Sequence, residues 1–230
     1  IMDKAVASSA IAFMFSLARG FHHAWNLRQE KKLNRYTFDA YFDLIQDVFG
    51  QTVLIAGLGE IGLAVARICK SLGMTVTGIK KDLDCHFDDV DELYPLSDLA
   101  EAVKSADYVI NLLPYFKSTH EVFDNRVFSE MKRTSFFINV GRGETVNEEE
   151  LIEALDNRTI AGAGLDVFRS EPLASTSPLW GMENVIITPH VAGITPQYWD
   201  LEVKLFMKNL QKFVEGNYLL DNLVDIRKGY

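Results

Sequence analysis

The chain has 230 residues, 48% of them hydrophobic and 24% charged, with a formal net charge of -9 at pH 7. That is ample apolar material for one large domain or two small ones, and it excludes a disordered chain. The acidic balance argues against nucleic acid or an anionic membrane as main partner, while leaving room for a local basic pocket around a phosphate.

Residues 5–33 are expected to form one long helix, because Val6, Ala10, Phe13, Leu17 and Phe21 keep helical spacing. Arg19, Arg28, Gln29, Glu30, Lys31 and Lys32 supply its outer face. The apolar run 5–17 is too short to span a bilayer and continues into polar sequence, so an amphipathic core helix is favoured over a signal-peptide core. His22 and His23 are adjacent, hence about 100° apart on a helix, and suit surface or packing roles better than a shared metal. Residues 34–50 form an aromatic-rich connector. Cys69 and Cys85 have neither metal-ligand spacing nor the density of a secreted disulfide framework, and are expected as free thiols in a reducing, cytoplasmic compartment.

The chain is organised around residues 52–62. A short apolar run reads as a buried parallel strand, and Gly57-Leu58-Gly59-Glu60-Ile61-Gly62 follows it directly. Ile61, Val65, Ile68 and Leu72 then keep helical spacing up to Gly73. Glycines on a strand-to-helix turn suit a dinucleotide: Gly57 for the tight turn, Gly59 for approach of a pyrophosphate, Gly62 for close packing of helix on strand. The free N–H groups of Glu60, Ile61 and their neighbours at the helix start would face the phosphates.

A second strand is expected over 74–79. Its end lies beside the adenosine ribose, where an acidic residue about 20 positions after the loop usually holds the 2′-hydroxyl. Here Lys80 and Lys81 occupy the place. Two cations gain charge-assisted hydrogen bonds from a 2′-phosphate and little from a neutral ribose, so NADP(H) is preferred, with NAD(H) possible through Asp82. Residues 82–96 read as an acidic, solvated loop; His86 among its aspartates suggests no metal site.

Ser97 is placed as cap of a short helix to Lys104. Strands follow at 107–112, 135–140, 160–167 and 185–188, separated by a helix at 125–132 and another capped by Asn147, with Glu150 in a capping-box position. Repeated strand–helix units predict an α/β fold, a doubly wound parallel sheet of Rossmann type, with ligands gathered at the carboxyl ends of the strands. The glycine loop, Lys80, Pro114, Arg142, Asp166 and His190 all fall at such ends. Thr195-Pro196 opens a last helix with Trp199, Val203, Phe206, Leu210 and Phe213 on one face, closed by Gly216.

Four segments in order resemble the D-isomer-specific 2-hydroxyacid dehydrogenases: the glycine loop, Asn139-Val140-Gly141-Arg142-Gly143, Gly164-Leu165-Asp166-Val167-Phe168 with Glu171-Pro172, and Thr188-Pro189-His190-Val191-Ala192-Gly193. The closing residues 222–230 resemble the branch of glyoxylate and hydroxypyruvate reductases. The resemblance implies reduction of a small 2-keto acid, with Arg142 as anchor of the carboxylate and carbonyl, His190 as acid/base and Glu171 as its partner. It also implies a cofactor site made by Gly57, Gly59, Glu60, Ile61, Gly62, Lys80, Lys81, Leu113, Pro114, Thr119, Val140, Gly141, Arg142, Asp166, His190, Ala192 and Gly193; His120 is peripheral. Residues 5–195 would be the NAD(P)-binding domain, and 196–230 a helix and tail returning to a flavodoxin-like substrate domain. Relatives carry that domain ahead of the first helix, and this chain starts almost at the helix. A fragment, a wall supplied by another chain, or a nucleotide binder without turnover are the expectations this raises, the broad apolar face of the last helix favouring the first. A homodimer through the first helix is expected from relatives, although its stripe suits burial within the subunit equally well. The alternatives are a nucleotide-sensing interaction protein of the same fold, or an NAD-dependent enzyme for a bulkier D-hydroxy acid.

Overall fold

The computed structural model describes residues 2–223; the reading of the tail as a branch signature falls largely on 224–230, outside the described residues. Seven parallel strands form one sheet: β1 (Thr52–Ala56), β2 (Thr75–Ile79), β3 (Glu92–Tyr94), β4 (Tyr108–Asn111), β5 (Phe136–Asn139), β6 (Gly162–Leu165) and β7 (Val185–Ile187), in the order β3-β2-β1-β4-β5-β6-β7. The order reverses at β1, the topological switch point of a doubly wound sheet. In register across the sheet, Tyr94, Ile79, Ala56, Asn111, Asn139, Leu165 and Ile187 form one transverse row of last-strand residues. The residues that follow this row, Lys80, Gly57, Leu112, Val140, Asp166 and Thr188, therefore emerge along one edge.

Both faces are covered. The helices α1 (Asp3–Ala18) and α4 (Glu60–Ser71) pack on one, where Phe13, Met14, Leu17, Val65 and Cys69 join Val53, Ile55, Tyr108 and Ile138. On the other, α5 (Leu99–Ala102), α6 (Asn125–Glu130) and α7 (Glu148–Asp156) bring Leu99, Phe128, Leu151 and Leu155 against Leu54, Val109 and Phe137. Strands buried on both sides read as unbroken apolar runs, which is why they are legible. Burial pushes the Cys69 thiol up to about 12, so it is an inert core group; both cysteines are free.

Several local expectations need correction. Residues 5–33 are two helices, α1 and α2 (Phe21–Gln29), because Gly20 takes the left-handed conformation at φ 65° and Gln46 donates its amide to Ala18 at the end of α1. A short α3 (Arg35–Phe38) follows, capped by Asn34. The acidic stretch 82–96 contains β3, three residues borrowed onto the edge of the sheet by pairing with β2. Ser97 caps nothing; its hydroxyl bonds Asp98. Asn147 does cap α7, but Glu150 reaches across to the Asn125 amide instead of closing a capping box.

The last helix, α8 (Tyr198–Val214), has no buried residue: Trp199, Val203, Phe206, Leu210 and Phe213 are all exposed. By contrast the stripe of α1 is buried inside the subunit. Among the described residues no helix is long and apolar enough to cross a membrane.

Candidate active site

The site is built from the turns that leave the transverse row. At the first, Gly57 has φ 108° and a Cβ there would lie 2.9 Å from the Leu112 carbonyl; a Cβ on Gly62 would lie 2.2 Å from the Gly57 oxygen. Both positions thus demand glycine. Gly59 differs, since a Cβ would meet nothing within 4 Å. The backbone there is open, with Glu60 and Ile61 starting α4 just behind it, so the loop presents amide donors to an unobstructed surface suited to a pyrophosphate.

Lys80 is not free at the end of β2. Its Nζ donates to the Leu58 carbonyl at 2.8 Å and sits 5.2 Å from the Phe87 ring centre, so it braces the glycine loop from the side. Lys81 is exposed and, among the described residues, carries no hydrogen bond or ion pair. The two lysines, equivalent in the sequence, have different situations in the fold.

After β4 comes Leu113-Pro114, with Leu113 buried and Pro114 exposed. Thr119 uses its hydroxyl within this loop, donating to Pro114 O at 2.6 Å and accepting from the Phe116 amide at 2.8 Å, and so shapes the turn. His120 is exposed and leans on the Glu144 carbonyl. After β5, Val140 and Gly141 are buried and Arg142 is exposed, its Nη1 donating back to the Gly141 carbonyl at 2.7 Å. The flanking glycines have specific reasons. A Cβ on Gly141 would lie 3.0 Å from the Leu113 oxygen, and one on Gly143 would lie 1.9 Å from the Phe168 oxygen. Arg142 is consequently wedged between the β4 turn and the strap carrying Glu171.

Asp166, only 1% exposed, points inward. Its carboxylate accepts from the amides of Val191 and Ala192, both at 2.9 Å, and from the Thr188 hydroxyl. Its oxygens are taken by the 188–192 turn, so within the chain Asp166 shapes the neighbourhood of the histidine; Ala192 and Gly193 lie behind that turn, against α1 and Met2. Held this way, His190 adopts φ 55° and places Nδ1 2.7 Å from Glu171 Oε2, while Glu171 Oε1 accepts from the Phe168 amide at 3.1 Å. An ionised carboxylate only accepts, so Nδ1 carries hydrogen and Nε2 is left to face outward chemistry. Among the described residues no group of three or more His, Cys, Asp or Glu side chains is arranged for a metal.

Residues 11–192 match the model of the D-isomer specific 2-hydroxyacid dehydrogenase NAD binding domain. The chain belongs to this family. A glyoxylate reductase of Korarchaeum cryptofilum is 32% identical over 228 residues, 98% of this chain and 67% of the relative. The solved D-isomer specific 2-hydroxyacid dehydrogenase of Xanthobacter autotrophicus Py2, in complex with NADPH and MES, has TM-score 0.85 at 29% identity, covering 100% of this chain and 90% of that one. The NADPH-dependent glyoxylate/hydroxypyruvate reductase of Sinorhizobium meliloti, in complex with NADP and sulfate, has TM-score 0.85 at 28% identity over 100% of this chain and 70% of that one. The chain spans about two-thirds of the length of the curated relatives it matches.

Within this dehydrogenase domain, sequence reading missed Asn111, Thr145 and the part of Asn139 that lies beneath the loop. The available signal was an asparagine at the last position of two adjacent apolar strands, Ile110-Asn111 and Ile138-Asn139. A polar residue there needs a buried partner.

Proposed function

We propose that the protein reduces a small 2-keto acid of the glyoxylate or hydroxypyruvate type with NADP(H) as preferred coenzyme and NAD(H) as a weaker one. The observation that carries this is the His190–Glu171 pair at 2.7 Å, with His190 after β7 and Glu171 after β6, the strand that neighbours the β5 leading to Arg142. Arg142 is the anchor for the carboxylate and carbonyl oxygen of the substrate, since a guanidinium binds both in fork geometry and stays charged at any working pH. His190 donates the Nε2 proton to the carbonyl oxygen as negative charge develops there. Glu171 holds the ring in place through Nδ1.

The residues fit a dinucleotide: Gly57 and Gly62 shape a cradle that a Cβ would fill, and the open backbone at Gly59 leaves space for phosphates. When bound, the reduced nicotinamide supplies the hydride. Lys81, with Lys80 behind it, supports the NADP(H) preference, and the NADPH dependence of the Sinorhizobium relative agrees. We assign 5–195 to the coenzyme domain and 196–230 to a segment that packs on a substrate domain, which the uncovered face of α8 supports. A homodimer and a cytoplasmic location complete the reading; Phe21, Trp25, Tyr36 and Phe42, exposed on and after α2, suit a partner subunit better than solvent.

The test is NADPH- and NADH-linked reduction of glyoxylate and hydroxypyruvate, with fluorescence titration of each coenzyme. The expected result is tighter NADPH binding and turnover that vanishes in His190→Gln while binding survives. Unchanged turnover in that variant overturns the acid/base assignment. Binding of coenzyme with no turnover of any 2-keto acid selects the nucleotide sensor, for which the His190–Glu171 pair has no use.

A further inference from the structure

Behind Arg142 lies a polar cluster inside an apolar core. Asn111, Asn139 and Thr145 are 0%, 2% and 0% exposed. Asn111 Nδ2 donates to Asn139 Oδ1 at 3.0 Å and to Thr145 Oγ1 at 2.7 Å. Thr145 passes its single hydroxyl proton to the carbonyl of Arg142 at 2.6 Å, and Asn139 Nδ2 donates to the same carbonyl at 3.3 Å. The remaining acceptors are also matched, Asn111 Oδ1 by the Leu113 amide and Asn139 Oδ1 by the Gly141 amide, both at 3.1 Å.

Only one arrangement satisfies all of these groups. Turning the Asn111 amide over would set oxygen against oxygen between the two asparagines, turning the Asn139 amide would set nitrogen against nitrogen there and oxygen against the Arg142 carbonyl, and Thr145 has no second proton to give. A fully matched buried network gains little net stability over an apolar core but specifies geometry sharply. What this one specifies is the backbone at Arg142, tied through Asn111 to the turn at Leu113 on the coenzyme side.

We propose that Asn111, Asn139 and Thr145 are a buried relay of positioning residues that fixes the Arg142 backbone relative to the coenzyme-side turn, and so sets the aim of the keto-acid anchor. The link to substrate rests on the reading of Arg142 given above; the fixing of the loop does not. It follows that removing the Thr145 hydroxyl takes from the Arg142 carbonyl its shortest contact, leaving the Asn139 amide and the Thr145 backbone N–H, both at 3.3 Å, without touching either the glycine loop or the His190–Glu171 pair.

The experiment compares Thr145→Val, which keeps shape and loses the hydroxyl, with Thr145→Ser, which keeps it. Thr145→Ala replaces the valine variant should that one not fold. Amide hydrogen exchange of the full chain, without substrate, is expected to quicken at least tenfold at Gly141 and Thr145 in Thr145→Val, with Val109 in β4 unchanged, and to return to within threefold in Thr145→Ser. In turnover, KM for glyoxylate rises tenfold or more with the NADPH dissociation constant within twofold, and serine restores KM. Unchanged exchange at Gly141 and Thr145, equal loosening at Val109, or a KM indifferent to the hydroxyl overturns the relay. Altered exchange in a protein that turns over no 2-keto acid leaves the loop-fixing role standing and removes the function proposed for Arg142.

Discussion

Nδ1 of His190 and Oε2 of Glu171 are 2.7 Å apart, and the second oxygen of Glu171 is already held by the Phe168 amide. The carboxylate is therefore fixed before it meets the ring, and the ring is fixed by it. His190→Gln is expected to lower keto-acid reduction by about 10²- to 10⁴-fold, the range for losing a positioned proton donor. Glu171→Gln keeps an oxygen for the Nδ1 proton and so preserves part of the hold on the ring; its loss is expected to be smaller. Steady-state rates of the two variants check this, and a Glu171→Gln loss as large as that of His190→Gln would count against a positioning role for Glu171.

The glycine loop separates stability from binding. Gly62→Ala would place a methyl 2.2 Å from the Gly57 oxygen, and overpacking of this kind costs about 1–3 kcal/mol. Gly59→Ala meets nothing within 4 Å. The expected outcome is a lowered unfolding midpoint for Gly62→Ala and an unchanged one for Gly59→Ala, with coenzyme affinity reduced in both. Denaturation curves and coenzyme titrations on the same samples check this. A Gly59→Ala variant that binds normally would show that the phosphates do not approach at that point.

The lysines after β2 divide the coenzyme problem. Because Lys80 braces Leu58 in the loop, Lys80→Met should weaken NADPH and NADH alike. Lys81 has no partner among the described residues, so Lys81→Met should weaken NADPH alone, by about tenfold for one lost charge-assisted contact. Parallel titrations with both coenzymes decide it. Selective NADPH loss in the Lys80 variant would reverse the assignment.

The difference between Lys80 and Lys81 shows where sequence reasoning stops. Strands such as Val53-Leu54-Ile55 and Phe136-Phe137-Ile138 declare themselves because burial on both faces writes an apolar run. Placing Arg142, Asp166 and His190 at carboxyl ends needed only the order of those runs. What stayed hidden depends on contacts between distant segments. The break at Gly20 needs the Gln46 amide arriving at the end of α1. The strand β3 exists because β2 offers an unpaired edge. That Asp166 accepts from the amides of the 188–192 turn is equally a contact between distant segments. Asn111 and Thr145 are 34 positions apart, and no local pattern joins them.

His23 gives the clearest pH dependence of the fold. It is 4% exposed, stacked on Tyr41 at 4.2 Å between ring centres, with Nδ1 unpartnered. Burial, then the neighbouring His22 and Arg158, lower its pKa from 6.5 to about 4. In the unfolded chain the ring takes up a proton near pH 6.5, whereas in the folded chain it stays neutral until about pH 4. Between those values the unfolded state binds more protons, so stability falls as pH falls. The contribution is fully present above about pH 6.5 and gone near pH 4, on the order of 3 kcal/mol at about 1.4 kcal/mol per unit. His23→Phe keeps the stack on Tyr41 and removes the titration. Urea unfolding at a series of pH values should show a shallower slope in the variant, flattened further by also replacing His22, which burial depresses as well. Equal slopes in wild type and variant would mean that acid acts elsewhere, and that the packing around His23 opens before its ring is charged.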